Sequence, residues 1–355
     1  MFLEIQQRDP SIVVVKPTIP TTLAAGAIRV RIDKFGLSAN NVTYVGLGES
    51  MSYSKFFPTA TDGTMKLPVW GLATVMDSNH PDIQKGVRFY GYFPAATHCD
   101  LVPSRVTKKS FYVDRIQVPA DRYVYNTYEF CSSDPLYSPQ TENAMILFRP
   151  LWFTSYYLYD YVKYNNFFGA GTVVLTSASS KTSFCFAQLC QSASIPVIGV
   201  TAAKNLDFTK SLGIYTSVVT YEDLLPLENI TSKTLFVDVT GSPSLYSKIV
   251  AGLPSRPVNE ICVGFAHATS STVEGNLFFA PSWIKKRFAE VGVREAMKDV
   301  DKGWKLLMSK AESWIQFREF NGVEAVKRSY VDAAEGRIRA DIGYICTMHE
   351  IPAKL

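Results

Sequence analysis

The sequence lacks the residue clusters from which metal sites are usually built. It contains four histidines, scattered singly, and six cysteines, none of which forms a C-x-x-C motif. A structural zinc ion needs several converging nitrogen or sulfur ligands, and these usually come from closely spaced pairs. We therefore expect no metal site, and we expect the cysteines to be reduced thiols of a cytoplasmic protein.

Long apolar runs and blocks of like charge are also absent. No run approaches the roughly 20 apolar residues that span a bilayer. The opening MFLEIQQRDPSIVVVKP contains the acidic Glu4 and only a short apolar stretch, which does not resemble a signal peptide. The formal net charge of +4 is spread along the chain, a pattern that does not favour nucleic-acid binding. We expect neither a membrane nor a nucleic acid as partner.

What the chain does contain is enough apolar residues to bury a large core. Hydrophobic residues make up 47% of the 355 residues and charged residues 19%, the balance of a folded globular protein. A chain of this length usually divides into more than one domain. The first part is rich in strand patterns, whereas from Thr172 short apolar runs alternate with helical segments. That alternation predicts βαβ units and a doubly wound parallel sheet.

Several motifs resemble zinc-free medium-chain dehydrogenases/reductases of the quinone oxidoreductase type. The stretch from GAGTVVLTSASSKT to SVVTYEDL is similar to that family's order of strand, turn, helix, VIG-T strand, LG and V-x-x-Y. The segment PVWGLATVMDSNHPDIQKGVRFYGYF resembles its GroES-like domain. A closer resemblance, to the DUF2855 family, comes from the SASSKT loop and from the segments YNTY, LFRPLWFTS and FFAP.

The resemblance implies an α/β architecture with two domains. A GroES-like, β-rich catalytic domain is expected at residues 1–141 and 306–355, and a Rossmann cofactor-binding domain with a doubly wound parallel sheet at residues 142–305. It implies a zinc-independent oxidoreductase that takes NADP(H) and a small-molecule substrate. It also leaves a homodimer open, formed through edge strands of the cofactor sheet near EICVGFAHA.

The segment LTSASSKTSF, residues 175–184, lies where a dinucleotide fold carries its glycines, yet it contains none. A side chain at these positions disfavours positive φ and keeps the backbone from approaching a pyrophosphate closely. The glycine positions of the reductase pattern fall near Ser177, Ser180, Lys181 and Ser183.

Side chains must then supply the affinity that bare backbone supplies elsewhere. Hydroxyl groups, an ammonium group and the N–H groups at a helix N-terminus can all bind phosphate. The alternative is that Ser179 or Ser180 only caps the helix. The predicted phosphate contacts are Ser177, Ser179, Ser180, Lys181 and Thr182.

The residue that follows the next predicted strand indicates which dinucleotide is preferred. NAD-binding folds place an acidic side chain about 20 residues beyond the glycine-rich turn, where it binds the ribose hydroxyls. This chain has Thr201 there, with Lys204 nearby. A carboxylate would repel a 2′-phosphate, whereas a hydroxyl and an ammonium group attract it, so the pattern favours NADP(H) over NAD(H). A solvated lysine at the start of a helix is the open alternative for Lys204.

Two later strands end in residues that the resemblance implies are contacts for ribose and nicotinamide. Ligands of a doubly wound sheet bind outside the carboxyl ends of its strands, although ordinary strand ends are an equal alternative. His267 follows the second of these ends and is a candidate substrate contact, with a hydrogen-bonded structural histidine as the alternative. The predicted cofactor contacts are Thr240, Gly241, Gly264 and Phe265.

The candidate catalytic residues lie in the β-rich part of the chain. The segment SANNVTYVGLG resembles the family segment whose Asn-Tyr pair lines the nicotinamide pocket, which implies Asn41 and Tyr44. A tyrosine hydroxyl can donate to an enolate oxygen as its charge develops. Tyr53 and Tyr128 are secondary candidates. Arg149, within apolar LFRPLW, must either bind the substrate or pair internally.

Three functions remain open from the sequence. The first is an NADPH-dependent oxidoreductase that transfers hydride to an activated C=C or C=O bond of an enone, quinone or aldehyde-like molecule. The second is a non-redox descendant of the fold, a lyase, isomerase or ligand-binding protein that uses the same interdomain cleft, and the missing glycines motivate it. The third is a dimeric structural or partner-binding protein.

Overall fold

The computed structural model describes residues 1–19, 21–263 and 276–350. The chain divides into two compact units. Unit 1 comprises Met1–Phe148 and Ala311–Leu355, and unit 2 comprises Arg149–Lys310. The long helix α2 (Glu142–Tyr164) and the helix α7 (Val300–Trp314) each run across a boundary between the units.

Unit 1 is built mainly from antiparallel strands. They are β1 (Phe2–Gln6), β2 (Val13–Lys16), β3 (Ile28–Leu37), β4 (Thr64–Lys66), β5 (Pro68–Ser78), β6 (Arg88–Pro94), β7 (His98–Leu101), β8 (Pro103–Ser104), β9 (Ser110–Val113), β10 (Thr127–Phe130), β17 (Gln316–Asn321) and β18 (Ile342–Thr347). Three of them form a small sheet in the order β2-β1-β4, and nine form a larger sheet in the order β17-β18-β3-β5-β6-β10-β9-β8, with β7 also paired to β3.

Two helices accompany these sheets, α1 (Ala39–Gly46) and α8 (Val323–Ala334). Helix α1 begins with a capping box, in which the Ser38 side chain accepts from a backbone N–H of the first turn and the Asn41 side chain accepts from the Ser38 N–H. Such reciprocal bonds satisfy donors that a helix start leaves unpaired. Helix α1 was not predicted, because SANNVTYVGLG offers few apolar residues at helical spacing.

Aromatic rings dominate the core of unit 1. The ring of Tyr128 packs on Gly91 of the neighbouring strand β6, and a Cβ at Gly91 would collide with it. Stacked and edge-to-face aromatic pairs add to the burial of apolar area. Among the described residues of this unit, the fully buried rings include Phe35, Phe89, Tyr92, Phe93, Phe111, Tyr128, Phe148 and Tyr330.

Unit 2 contains a parallel sheet with helices between its strands. The strands are β11 (Thr172–Leu175), β12 (Val197–Thr201), β13 (Ser217–Thr220), β14 (Thr234–Asp238), β15 (Asn259–Cys262) and β16 (Asn276–Leu277). The helices, besides α2 and α7, are α3 (Lys181–Ser192), α4 (Leu206–Ser211), α5 (Pro243–Ala251) and α6 (Ala280–Ala296). The apolar run TVVL predicts a buried strand, and every residue of β11 is indeed buried.

The strand order of unit 2 fixes where a ligand is expected. The order is β13-β12-β11-β14-β15-β16 and every pair is parallel, which is the doubly wound Rossmann arrangement. From β11 the chain continues to β12 and β13 on one side of the sheet and then returns to β14 on the other side of β11. The carboxyl ends of β11 and β14 therefore mark the point where such sheets bind ligands.

Candidate functional site

The turn after β11 enters helix α3 without a glycine. Ser177 adopts a left-handed conformation with φ +50°, which is uncommon for a residue with a Cβ. Ser180 is the N-cap of α3, and its hydroxyl accepts from the Ser183 N–H at 3.2 Å. The capping role predicted as one alternative for Ser180 is therefore present.

A hydroxyl group fills the position where the reductase pattern has its last glycine. Ser183 is fully buried on α3, and its hydroxyl donates to the Thr176 carbonyl at 2.9 Å while it accepts from the Ser180 hydroxyl at 2.9 Å. The close approach of helix and strand that a glycine permits is here replaced by a buried, hydrogen-bonded serine.

Two tyrosines from the β12–β13 side of the sheet reach the same turn. The hydroxyl of Tyr221 accepts from the Ser177 N–H at 2.9 Å, and the hydroxyl of Tyr215 donates to the Ala178 carbonyl at 2.7 Å. Burial raises the pKa of both phenols, that of Tyr221 to about 12. Both hydroxyls therefore keep their protons at physiological pH.

The carboxyl end of β12 carries hydroxyl and amide groups and no carboxylate. Thr201 is buried, and its hydroxyl donates to the Ser179 hydroxyl at 3.2 Å, to which the Asn205 amide also donates at 3.1 Å. Lys204 lies exposed between Thr201 and Asn205 along the chain. The structure thus brings together Ser179 and Thr201, which the sequence predicted as cofactor contacts, and adds Asn205.

The carboxyl end of β14 is organised by a buried carboxylate. Asp238 accepts from the Thr176 hydroxyl at 2.7 Å, from the Thr240 hydroxyl and N–H at 2.7 and 2.9 Å, and from the Gly241 N–H at 3.2 Å. It ties the end of β14 to the end of β11. Thr240 and Gly241, predicted cofactor contacts, lie in this turn with these polar groups bonded to Asp238.

The remaining predicted contacts of unit 2 differ in exposure. Lys181 and Thr182, at the start of α3, are half-buried, and the Thr182 carbonyl accepts from the Ser155 hydroxyl of α2 at 2.8 Å. Arg149 is buried at the point where α2 enters unit 2. Three predicted residues, Gly264, Phe265 and His267, lie outside the described residues.

Unit 1 contains a cluster of phenol groups, which we call the tyrosine cluster and define as Tyr44, Tyr53 and Tyr125. The hydroxyls of Tyr53 and Tyr125 lie 3.0 Å apart, and the Tyr44 hydroxyl accepts from the indole N–H of Trp70 at 3.0 Å. The ring of Tyr44 packs edge-to-face against that of Tyr125, with the centroids 6.1 Å apart. The ring centroids of Tyr44 and Tyr53 are 4.8 Å apart.

The tyrosine cluster consists of neutral hydrogen-bond donors. Burial is the largest cause that raises the pKa of Tyr44, Tyr53 and Tyr125 above the ordinary tyrosine value. Their hydroxyls are therefore protonated across physiological pH and can donate to an oxygen that gains negative charge.

Two of the predicted catalytic residues have their polar atoms bonded to the surrounding protein. The Asn41 amide donates to the Pro68 carbonyl at 3.0 Å, and its oxygen closes the capping box of α1. The Tyr128 hydroxyl donates to the Tyr92 carbonyl at 2.8 Å and accepts from Arg115 at 2.9 Å. These bonds give both side chains a structural role, and their assignment to catalysis stays a prediction.

The described residues offer neither a metal site nor a membrane span. No group of three or more His, Cys, Asp or Glu side chains within them is placed to hold a metal ion. No helix in the described part of the chain is both long and apolar enough to cross a membrane.

Most of this chain matches one known protein family. The family model described as a protein of unknown function, DUF2855, matches residues 35–339. The chain belongs to the DUF2855 family. A search among curated proteins found no match.

Solved structures show that this DUF2855 protein has the fold of medium-chain reductases. CurA from Vibrio vulnificus, in complex with NADPH, is 11% identical, with 96% of this chain and 95% of CurA covered and a TM-score of 0.57. Escherichia coli quinone oxidoreductase, complexed with NADPH, is 15% identical, with 98% and 99% covered and a TM-score of 0.56. The yhdH oxidoreductase from Salmonella enterica, in complex with NADP, is 15% identical, with 98% of each chain covered and a TM-score of 0.51. The predicted GroES-like and Rossmann folds are confirmed.

Sequence reasoning missed several residues of these two sites. Asp238 precedes the predicted Thr240 and Gly241, but nothing in the chain order indicates that it bonds to the turn after β11. Tyr125 lies within the YNTY motif and Tyr221 within the V-x-x-Y motif, so the motifs contained both residues without indicating what they contact. Tyr215, Asn205 and Trp70 carried no sequence signal.

Proposed function

We propose that this protein is an NADP(H)-dependent oxidoreductase that transfers hydride to an activated C=C or C=O bond of a small molecule, an enone, quinone or aldehyde-like compound, without zinc. The observation that carries the proposal is the turn after β11, which enters α3 at the carboxyl end of a doubly wound sheet and is surrounded by hydroxyl groups. Structures of the same fold were solved with NADPH or NADP, which supports the choice of cofactor.

The residues of unit 2 fit a dinucleotide phosphate. The N-terminus of α3, a helix of 12 residues, carries partial positive charge and N–H groups that favour an anion. Lys181 and Thr182 begin that helix and add an ammonium and a hydroxyl group. In this proposal they bind the pyrophosphate, while Ser177 holds the turn open in its left-handed conformation.

The end of β12 fits a ribose that carries a 2′-phosphate. Residues 202–206, directly after β12, include no carboxylate. The Ser179 hydroxyl accepts from Thr201 and from Asn205, so the proton of Ser179 and the second N–H of the Asn205 amide can be donated to a ligand. Lys204 contributes a positive charge nearby. A carboxylate would repel the phosphate, so this composition supports NADP(H) over NAD(H).

The bound cofactor supplies a hydride, and the protein must then stabilise the charge that the substrate gains. We assign this role to the tyrosine cluster of unit 1, with Tyr44 as the donor. The hydroxyls of Tyr53 and Tyr125 bond each other, and the rings of both pack against the ring of Tyr44. A neutral phenol donates a hydrogen bond to the developing enolate or alkoxide oxygen and stabilises its negative charge. Asn41 holds α1 to the start of β5, and Tyr128 holds β10 to β6. Arg149 stays a proposed substrate contact.

The first experiment is a fluorescence titration of the purified full-length chain with NADPH and with NADH, followed by assays with quinones, enones and aldehydes. We expect tighter binding of NADPH and its oxidation by at least one substrate class. Tighter binding of NADH would contradict the cofactor preference, and absence of binding to either nucleotide would contradict the proposal.

Two substitutions separate phosphate binding from helix capping. Lys181→Ala removes one charge at the start of α3, and we expect NADPH affinity to fall about tenfold, the effect of one charge-assisted hydrogen bond. Ser180→Ala removes the N-cap, which costs roughly 1 kcal/mol of stability. If Lys181→Ala lowers the unfolding midpoint as much as Ser180→Ala does but leaves affinity unchanged, the turn is only a helix start. Lys210→Ala, at an exposed lysine of α4 in the same unit, is the matched control.

A non-redox function is the second candidate, because one observation favours it. The hydroxyls of Ser180 and Ser183 bond to each other and to the protein, so they offer less to a ligand than the bare backbone of a glycine-rich turn. A chain that binds NADPH but oxidises it with no substrate in the panel would move the proposal toward this alternative.

A further inference from the structure

The left-handed turn at Ser177 requires both of its neighbouring peptide groups to be fixed. The preceding group is held by the Ser183 hydroxyl on the Thr176 carbonyl at 2.9 Å and by the Ser177 N–H on the Tyr221 hydroxyl at 2.9 Å. The following group is held by the Ser180 N–H on the Ser177 carbonyl at 2.7 Å and by the Ala178 N–H on a carbonyl of β12 at 3.0 Å. Fixing two successive peptide planes fixes φ and ψ of the residue between them.

Tyr215 braces the next peptide of the same turn. Its hydroxyl donates to the Ala178 carbonyl at 2.7 Å. Its ring passes beside Gly199 of β12, where an added Cβ would lie 2.8 Å from the Ala178 Cβ and 2.9 Å from the Tyr215 ring. The absence of a side chain at Gly199 therefore leaves room for the Tyr215 ring beside β12.

We propose that Tyr221 and Tyr215 are positioning residues that hold the glycine-free turn in the shape that a dinucleotide phosphate requires. In a glycine-rich turn, positive φ costs little and needs no external support. Here Ser177 disfavours that conformation, and two phenol hydroxyls from the β12–β13 side supply the missing constraint. This inference rests on the proposed function for the identity of the ligand. The two tyrosine hydrogen bonds to the turn, which we call the brace, are present without a ligand.

A glycine at position 177 should make the hydrogen bond to Tyr221 unnecessary. Tyr221→Phe leaves the Ser177 N–H without its acceptor, and we expect NADPH affinity to fall about three- to tenfold, the effect of one neutral hydrogen bond. Ser177→Gly alone should change affinity by less than about twofold, because glycine adopts positive φ without support. The double variant Ser177→Gly/Tyr221→Phe should recover the affinity of Ser177→Gly. A general loss of folding would not be repaired by a glycine in the turn.

A second measurement needs no cofactor. Amide hydrogen exchange of residues 175–180 in the full chain without nucleotide should be faster by about three- to tenfold in Tyr221→Phe, and Tyr215→Phe should loosen the same segment. Tyr246→Phe, whose hydroxyl bonds Glu260 in the same unit, is the matched control and should leave both exchange and affinity unchanged.

The outcomes distinguish the brace from the proposed function. Unchanged exchange in Tyr221→Phe, or an affinity loss that Ser177→Gly does not rescue, would overturn the brace. If the unaltered chain does not bind NADPH, the proposed function fails, and the exchange comparison alone then decides whether the two tyrosines hold the turn.

Discussion

Glu142, at the start of α2, is held by a group of charged residues on the main sheet of unit 1, and its removal should be costly. Its carboxylate accepts from Lys34 at 2.5 Å, from both terminal nitrogens of Arg88, and from the Tyr137 hydroxyl at 2.8 Å. Arg88 also donates to Asp33 at 3.0 Å. Glu142→Gln keeps the shape and removes the charge that Lys34 and Arg88 surround.

The magnitude follows from how far each partner is buried. Breaking a buried ion pair by removing one partner costs roughly 3–5 kcal/mol. The Glu142 side chain is 10% exposed, but those of Arg88 and Lys34 are 30% and 26% exposed, so solvent screening reduces the expected loss to about 2 kcal/mol. With a urea dependence of about 2 kcal/mol per molar, the unfolding midpoint should fall by about 1 M.

The effect should depend on pH with a defined sign. Burial alone would raise the pKa of Glu142, but hydrogen bonds from Arg88, Lys34 and Tyr137 outweigh it and lower that pKa. A carboxyl with a lowered folded-state pKa contributes stability above its unfolded pKa of about 4.3, and the contribution is lost as pH falls through the folded value. The difference between the unaltered chain and Glu142→Gln should therefore be full at pH 7 and shrink in acid.

The assay is urea unfolding at pH 7 and in acid, read by hydrogen exchange in β3 and β6 so that unit 1 is followed. Glu319→Gln, at an exposed carboxylate of β17, is the matched control and should change stability by less than about 0.5 kcal/mol. A Glu142→Gln loss equal to that of the control, or one that does not shrink in acid, would refute the reasoning.

Two further predictions concern the reaction. Thr201→Asp places a carboxylate at the end of β12, near the proposed 2′-phosphate site. Like charges about 5 Å apart repel by about 3 kcal/mol at an effective dielectric of about 20, so the ratio of NADPH to NADH affinity should fall roughly 100- to 200-fold. An unchanged ratio in paired titrations would contradict the assignment of the ribose site. Tyr44→Phe should lower kcat about 10²-fold while leaving NADPH affinity within about twofold, and steady-state kinetics that show an unchanged kcat would remove Tyr44 from the proton-donating role.

The cofactor-type sheet could be predicted because its signals are local. Each of its strands is a short apolar run that a helix follows, so TVVLTS and VIGVT indicated β11 and β12 directly. The β-rich unit was harder to predict in detail. The amphipathic pattern of WKLLMSKAESWIQF by itself predicts a helix that extends to Phe317, yet α7 ends at Trp314 and β17 begins at Gln316. Pairing of β17 with β18 decided that boundary, because tertiary pairing overrides local propensity.

The contacts that shape the candidate site could not be predicted, because they join distant parts of the chain. Tyr221 and Tyr215 lie 44 and 37 residues from the turn positions they bond, and Asp238 lies 62 residues from Thr176. A sequence with 19 tyrosines gives no means of choosing these. For Ser180 the difficulty is different, because its local sequence pattern predicts both a helix cap and a phosphate contact. The structure shows the cap, and the phosphate contact stays a prediction.

The missing glycines therefore do not by themselves exclude a dinucleotide. A glycine-rich turn makes positive φ accessible through the residue itself, and its shape needs little support from elsewhere. This turn has the same positive φ at Ser177, but the support comes from hydroxyls on α3 and from tyrosines that follow β12 and β13. The shape of the turn and the binding of phosphate are then separable: Ser183, Tyr215 and Tyr221 hold the turn, while Lys181 and the α3 N-terminus are the proposed phosphate contacts. Ser177→Gly should restore the NADPH affinity that is lost when a hydrogen bond holding the turn is removed, but not the affinity that is lost with Lys181.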